Sequence, residues 1–447
     1  SYKDRTFDVC NLMALMSQDD GSSSVTTQFH SPALGSSHLQ FEEDRGLCLI
    51  HLLFTSANQI ASGRLESANT TLDQISRLAS PHGDAMQRLA AYFAAALADR
   101  VLKTWPGLRR ALNCTRMNQI SEEFLGRKLL FELCPFLKLA FLITNQAIME
   151  AMEGEKMVHV VDLNASDASQ WVALLQGLSA RPEGPPHLRI TGVHAHQAVL
   201  DQTARRLITE AEKLDIPFQF NPIAGDLENL DIERLHVKTG EALALSSVLR
   251  LHSLLASDEE LLHNRDKTVG KPCSPSPDST SSSPPSSLIP PARIDAFLDA
   301  LRRLSPKVVM VTEQDADHNG SSLVERVTEA LHFYAALFDC LEVTAPRSSA
   351  ERVRVEKMVY GEEINNIVAC EGGDRRVRHE KFHRWHRRFD SAGFAAAPLS
   401  RCTAALARRV LRGLGCDGYS IKEDGGRAVI CWQDRGLFTV SGWRCKN

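Results

Sequence analysis

A change of hydrophobic period near residue 155 is the feature that most constrains how this chain folds. From Leu47 to Gly154 apolar residues recur at helical spacing, as in the stretch AYFAAALADRVL. The chain then reads MVHVVDL at 157–163, a nearly continuous apolar run that is typical of a strand buried on both faces. A second such run, HLRITGV at 187–193, begins about thirty residues later, which is the repeat of a βαβ unit.

Further strand-like runs at 217–223, 241–248 and 307–314 continue this alternation. Three more runs, separated by Gly-containing turns, follow Tyr419 and predict an antiparallel meander at the sheet edge. The predicted fold class is therefore α/β, with a doubly wound, methyltransferase-like Rossmann core, antiparallel C-terminal strands and an N-terminal α-helical region.

Shifts in composition predict three parts of the chain. Residues 1–44 are polar and aperiodic, which predicts a largely disordered N-terminal segment. Residues 45–155 form the helical part, and residues 156–447 form the α/β core. A Ser/Pro-rich insertion at 264–291 interrupts the core; its stretch 272–291 contains 7 Pro and 8 Ser, which predicts a solvated loop.

Charge and cysteine content limit the function classes. A net charge of −4 argues against nucleic-acid binding through the overall charge of the molecule. Any contact with nucleic acid would need a local basic patch. The 11 cysteines include no CxxC pair, which indicates reduced thiols and not a disulfide framework. No apolar run reaches the length of a membrane span, so no membrane partner is expected.

The stretch RHEKFHRWHRR at 378–388 contains HExxH, a spacing that places two histidines on one helical face for zinc. The charged residues Lys381 and Arg384 do not suit a helix buried beneath a protease cleft. Phe382, Trp385 and Phe389 define the apolar stripe instead. We interpret the segment as an amphipathic helix with a basic outer face, and we expect no metal and no catalytic residues here.

A cofactor site would lie beyond the carboxyl ends of the strands, where Asp162 follows the first strand. The loop DLNASDASQW contains no Gly, and the second strand ends at His194 without a carboxylate for ribose. We expect a crevice too crowded for a nucleotide-like cofactor, with Asp162 in a cap or core network. The acidic stretch TEQDADHNG at 312–320 suits a hard metal less well than a turn before a capping box of Ser322 and Glu325.

Over residues 45 to 447 the motifs resemble the plant GRAS family, and within it the scarecrow-like-three subgroup. VHVVDL at 158–163 is similar to the VHIID signature, and leucine-rich stretches flank it. SPKVVMVTEQDADHN, ALFDCLE and VRHE resemble the PFYRE region; RFDSAGF and SGWR resemble the SAW region, although Gly442 replaces its alanine. The residues that match family motifs in a structural role are His159, Asp162, Gln170, Trp171, Arg378, His379, Glu380, Trp385, Trp432 and Trp443.

This resemblance implies a nuclear transcriptional regulator and not an enzyme, with a methyltransferase-like core under a helical cap. The implied partners are other GRAS proteins, including the DELLA type of gibberellin signalling, and zinc-finger transcription factors of the indeterminate-domain type. DNA would be contacted mainly through such partners. A direct sequence-specific DNA-binding factor remains the alternative, and an S-adenosylmethionine-dependent methyltransferase is a third possibility.

Two candidate contact surfaces follow from the residues. The LxxLL stretch with Leu49, Leu52 and Leu53 could enter a partner's groove, whereas a second copy at 251–255 suits the core better. The arginines of the basic stretch, Arg378, Arg384, Arg387 and Arg388, suit an acidic partner surface or phosphates beside a DNA-bound partner. We expect reversal of Arg384, Arg387 and Arg388 to weaken association without loss of stability.

Overall fold

The computed structural model describes residues 36–105, 107, 120–257, 292–413, 415 and 418–446. The predicted Ser/Pro-rich insertion at 264–291, and residues 1–35 of the predicted N-terminal segment, lie outside the described residues. The first helix, α1, spans Ser36–Ala61. It begins inside the segment that was predicted to be disordered, because its first ten residues are mostly polar and carry no clear helical period.

The described chain is helical up to Ala151. Asp84 starts one of the helices with a capping box: its side chain accepts a hydrogen bond from the Gln87 backbone N–H at 2.8 Å. The helices after α1 are α2 (Leu65–Leu78), α3 (Ala85–Leu102), α4 (Ile120–Leu133) and α5 (Pro135–Ala151).

The five predicted parallel strands are confirmed. They are β1 (Met157–Asp162), β2 (His187–His194), β3 (Phe218–Ala224), β4 (Ala242–Val248) and β5 (Val308–Gln314). They lie in the order β3-β2-β1-β4-β5, all parallel, with β1 central. Val160 of β1 pairs with Ile190 on one side and Ala244 on the other. All three are completely buried, which explains the uninterrupted apolar runs.

The predicted antiparallel extension is also confirmed, with strands β7 (Tyr419–Asp424), β8 (Arg427–Trp432) and β9 (Arg435–Cys445). Strand β9 pairs antiparallel with β5, and the sheet continues through β8 to β7. A short strand, β6 (Phe394–Ala396), also pairs with β9 and was not predicted, because three residues carry too weak an alternation signal.

Helices cover both faces of the sheet, as the doubly wound class requires. One face carries α5, α6 (Ser169–Ser179), α7 (Gln197–Lys213), α9 (Leu323–Thr344) and α13 (Arg401–Gly413). The other face carries a 3-10 turn, Leu251–Ser257, with α8 (Arg293–Arg303) and α12 (Phe382–Ser391). The α/β fold with N-terminal helices and antiparallel C-terminal strands is confirmed.

The helical cap draws on two separate parts of the chain. Helix α10 (Ala350–Val355) packs on α4, and α11 (Glu362–Ala369) packs on α3. A π-helix, Glu356–Gly361, joins them. Helix α5, in contrast, packs against α6, α13 and strands β5 and β9. The domain boundary at 155 therefore stays a prediction, since packing does not follow the chain order.

Among the described residues, no single helix is long and apolar enough to cross a membrane. The pair Leu125–Leu133 and Pro135–Ala151 meets that standard of length and composition only when taken together, and it bends by 85° between the two helices.

Candidate functional site

The side chains of the VHVVDL motif bind to neighbouring parts of the core. Asp162, at the carboxyl end of β1, accepts hydrogen bonds from Trp171 Nε1 at 2.7 Å and from the Asn164 backbone N–H at 2.9 Å. Burial raises the pKa of Asp162 to about 6. The contact with Trp171 holds α6 against β1, so Asp162 is part of a core network, as the sequence indicates.

His159 lies on the same strand and is completely buried. Its Nε2 is 2.8 Å from Thr191 Oγ1, and its Nδ1 accepts a hydrogen bond from Arg189 Nη2 at 3.0 Å. Arg189 also pairs with Glu241. Burial and the nearby Arg189 charge lower the pKa of His159 to about 4, so the ring is neutral at pH 7 and links β1 to β2.

Gln170, the first residue of the Gln170-Trp171 pair, joins α6 to α5. Asn145 Nδ2 donates to the Gln170 carbonyl oxygen at 2.7 Å, and Gln170 Nε2 donates to Asn145 Oδ1 at 3.4 Å. Both side chains are buried. These contacts position α6 beneath the strand ends.

The RHE residues are buried too, which corrects the expectation that Arg378 lies on a surface. Arg378 is 3% exposed and donates to the carbonyl oxygens of Arg375 and Gly372 and to Asn319 Oδ1 at 2.7 to 3.0 Å. Glu380 accepts from Asn319 Nδ2 at 2.8 Å. Together these side chains fix the loop that precedes α12.

The HExxH histidines do not converge. His379 precedes α12 and is buried, with its Nδ1 2.9 Å from His318 Nδ1, whereas His383 and His386 are exposed on the helix. Burial holds the pKa of His379 well below its usual range. No group of three His, Cys, Asp or Glu side chains in the described part of the chain is arranged to hold a metal ion.

The acidic stretch at the end of β5 anchors loops. Glu313 is buried and accepts the backbone N–H groups of Arg250 and Leu251 at 3.1 and 2.8 Å, and His252 Nδ1 lies 2.9 Å from its other oxygen. Burial raises the pKa of Glu313 to about 8. Ser322 caps α9 by accepting from the Glu325 backbone N–H, which confirms the N-cap half of the predicted capping box.

The basic helix α12 is only partly free. Trp385 and Phe389, which belong to its apolar stripe, are buried. Arg384 pairs with Asp317 at 3.0 and 3.2 Å, and Arg388 pairs with Glu380 at 3.1 and 3.2 Å. Arg387 is exposed and makes no ion pair with a described residue. Reversal of Arg384 or Arg388 would therefore break internal pairs, contrary to the expectation of unchanged stability.

The first LxxLL stretch is not an exposed face. Leu49 and Leu53 are completely buried, and Leu52 packs on the same core. They face inward because α1 packs against α2, α3 and α9. In the second copy the leucines at 251, 254 and 255 are buried, so the prediction of a core role is confirmed.

The tryptophans of the SAW region also lie in the core. Trp432 Nε1 donates to Asp339 Oδ2 at 2.7 Å, and Trp443 stacks on Phe389 with ring centroids 4.5 Å apart. At Gly442, a Cβ atom would lie 2.8 Å from the Ala397 carbonyl oxygen. The close approach of this backbone explains glycine in place of alanine.

An open cleft of about 650 Å³ lies beyond the carboxyl ends of β1, β2 and β4, which corrects the expectation of a crowded crevice. Met358 and Val359 of the π-helix line it opposite the strand ends, so the cap forms its roof. Three arginines that sequence reasoning missed, Arg127, Arg250 and Arg376, also line it. They come from distant segments, so no local pattern could have identified them.

Residues 49–444 match the GRAS domain family. The chain is 53% identical to Scarecrow-like protein 3 of Arabidopsis thaliana, over 98% of this chain and 100% of that protein. It is 33% identical to the DELLA protein GAI1 of Vitis vinifera, over 91% of this chain and 63% of that protein. The crystal structure of SCL7 in Oryza sativa matches with a TM-score of 0.71 at 31% identity, covering 89% of this chain and 99% of that one.

Proposed function

The chain belongs to the GRAS domain family of transcriptional regulators, and from this premise we propose that it acts as a protein-interaction adaptor on DNA-bound transcription factors. We place its action in the nucleus, in gibberellin signalling and plant development. The proposed partners are zinc-finger factors of the indeterminate-domain type and other GRAS proteins, including those of DELLA type. The similarity to a DELLA protein supports the last of these.

One observation carries the proposal: the polar residues of the family motifs are engaged inside the molecule. Asp162, His159, Arg378 and Glu380 are each at most 3% exposed and hydrogen-bonded to neighbouring elements. A catalytic group must reach a substrate, so residues held this way suit a scaffold better than a reaction centre. The relatives are regulators and not enzymes, in agreement with a scaffold.

Helix α12 is the surface that we assign to partner contact. Its outward residues include His383, His386 and Arg387, all exposed. The paired arginines Arg384 and Arg388 hold the helix in place through Asp317 and Glu380 and extend the positive face. Such a rigid basic helix suits an acidic patch on a partner or the phosphates next to a DNA-bound partner.

The first test is a pull-down with a purified zinc-finger partner of the indeterminate-domain type. We expect Arg387→Glu to weaken binding roughly tenfold, since reversing one contact charge costs on the order of 1.4 kcal/mol. The melting temperature should not change, because Arg387 has no internal ion pair among the described residues. Arg409→Glu, an equally exposed reversal on α13, is the matched control. Equal retention of the two variants would contradict the assignment of α12.

The second test is a gel shift with the partner's DNA site, with and without the zinc-finger protein. An adaptor should supershift the partner–DNA complex and leave naked DNA unshifted. A sequence-specific shift by the chain alone would favour the alternative of direct DNA binding.

A further inference from the structure

The cleft beyond the strand ends has no role in the adaptor function. It is bounded by the loops that follow β1, β2 and β4 and by residues of α4, the π-helix and α11. In doubly wound sheets this is the place where ligands bind. Its volume of about 650 Å³ is in the range of small-molecule sites.

The cleft does not suit a nucleotide. The loop after β1 contains no Gly, and β2 ends at His194 where ribose recognition needs a carboxylate. Gly192 serves packing, since a Cβ atom there would lie 2.8 Å from both the Ala165 Cβ and the Phe220 ring. The chemical character of the cleft therefore has to be inferred from the side chains that line it.

Guanidinium groups reach the cleft from three separate segments. Arg376 is exposed; its backbone N–H donates to Asn366 Oδ1 at 2.8 Å, and its guanidinium group makes no hydrogen bond with a residue that the structure describes. Arg250 lies 3.7 Å from both Asp226 and Glu228, which is beyond hydrogen-bond distance. Both guanidinium groups therefore retain donors for a further acceptor, and Arg127 lines the same cleft.

His194 adds a neutral donor. Its Nδ1 accepts the backbone N–H of His196 at 3.1 Å, so the proton of the neutral ring is on Nε2. Burial, with smaller contributions from Arg250 and Arg127, lowers the pKa of His194 to about 4, so the ring is neutral at pH 7. Helix α7 begins beside it without a side-chain cap, and the positive end of its dipole adds to the attraction for anions.

The cleft also has carboxylates and an apolar wall. Glu363 accepts from Tyr334 Oη at 2.7 Å and from Gln314 Nε2 at 3.3 Å, so its charge is directed to the interior. Asp226 faces Arg250, and the third carboxylate of the lining, Glu362, is exposed and has a partner of its own within the molecule. The apolar lining is formed by Leu163, Val193, Leu249, Met358 and Val359. A ligand that is complementary to this site has an anionic group and an apolar body.

We propose that this cleft binds a small organic anion, with its carboxylate or phosphate group at Arg250, Arg376 and His194 and its apolar part against Met358 and Val359. The site is separate from α12 and does not depend on the adaptor function. Ligand binding would join the cap to the strand ends, because the roof and the floor come from different layers.

The test measures thermal unfolding of the full chain at matched ionic strength with 1-naphthyl phosphate, 1-naphthoate, the neutral 1-naphthol and S-adenosylhomocysteine. We expect at least one of the two anions to raise the melting temperature by roughly 2 °C or more, and 1-naphthol to have no effect. The stronger of the two anions identifies the preferred group, phosphate or carboxylate.

Arg376→Gln should lower the affinity for that anion about tenfold in calorimetry. Its fold should be unchanged, because within the described part of the chain Arg376 is held through its backbone N–H, which the substitution keeps. Arg409→Gln, outside the cleft, is the matched control. No stabilisation by either anion, or full stabilisation of Arg376→Gln, would overturn the proposal. Stabilisation by S-adenosylhomocysteine alone would overturn it in favour of a nucleotide site.

Discussion

At the scale of single residues, burial shifts the pKa values of several ionisable groups in and around the sheet so that their neutral forms are favoured. Asp162, Glu313 and His159 all have neutral forms favoured by loss of solvent, with pKa values shifted to about 6, 8 and 4. A protonated Glu313 accepts two backbone N–H groups on one oxygen and donates from the other to His252 Nδ1. Burial favours this neutral state, and the backbone hydrogen bonds from Arg250 and Leu251 oppose the shift only in part.

Glu313→Gln tests this interpretation, because glutamine has the same acceptor and a donor in place of the acid proton. A carboxyl whose folded pKa is raised from 4.5 to about 8 contributes stability below pH 4.5 and loses it as pH rises through 8. Relative to the variant, the wild type should lose up to about 1.4 kcal/mol of unfolding free energy per pH unit between about pH 5 and 8. Urea titrations across this range measure the difference, and parallel pH profiles would disprove a neutral Glu313.

At the scale of elements, a buried ion pair connects α3 to the π-helix. Arg88 Nε lies 3.0 Å from Glu356 Oε1, and both side chains are completely buried. Arg88 Nη2 is also 2.9 Å from Glu342 of α9. These buried charges therefore hold two separate parts of the cap in register. If one partner is lost, water cannot solvate the charge that remains.

Arg88→Met should destabilise the protein by about 3–5 kcal/mol, since it leaves Glu356 buried without its closest cation. The double variant Arg88→Met/Glu356→Leu should cost less than the single change, because the orphaned charge is gone. Chemical denaturation of these two variants and of Glu356→Leu alone measures the coupling. Arg77→Met, which removes an exposed pair with Asp73, is the control and should cost less than about 1 kcal/mol. Additive losses would show that the two charges act independently.

At the scale of the whole molecule, the helical cap and the sheet form one interleaved structure. Helices α10 and α11 come late in the chain, but α10 packs on α4 and α11 packs on α3. Helix α9 packs against α1, α3 and α11. On the sheet face that carries α5 and α9, a single hydrophobic core contains residues from Leu49 near the start of the described chain to Val440 near its end. The N-terminal helices therefore complete the core and do not merely cover it.

A fragment of residues 156–447 should fail to unfold cooperatively, because α9 and α11 would expose the apolar surfaces that α1 and α3 cover. Adding residues 36–151 in trans should restore a sharp thermal transition. Circular dichroism melts of the fragment, the mixture and the intact chain make the comparison. A cooperative transition of the fragment alone would support an independent core with a boundary at 155.

Much of the fold was predictable because its signals are local. The strand runs at 157–163 and 187–193 and the cap at Ser322 each depend on neighbours within a few positions. The start of α1 and strand β6 were missed, since one has a polar composition and the other has three residues. The prediction that Arg378 lies on a contact surface was wrong, because a run of basic residues does not show which of its side chains are buried.

By itself, the sequence determined the element types, the parallel-then-antiparallel plan of the sheet and the family, since hydrophobic period and motif order are properties of adjacent residues. Only the tertiary structure decided which charges are inside and where a cleft opens. The N-terminus of α12 shows why: Phe382 N–H donates to Asp315 Oδ1 at 3.2 Å, across 67 positions of sequence. Contacts over such distances fix where a helix begins, and so which arginines face solvent, and no local pattern encodes them.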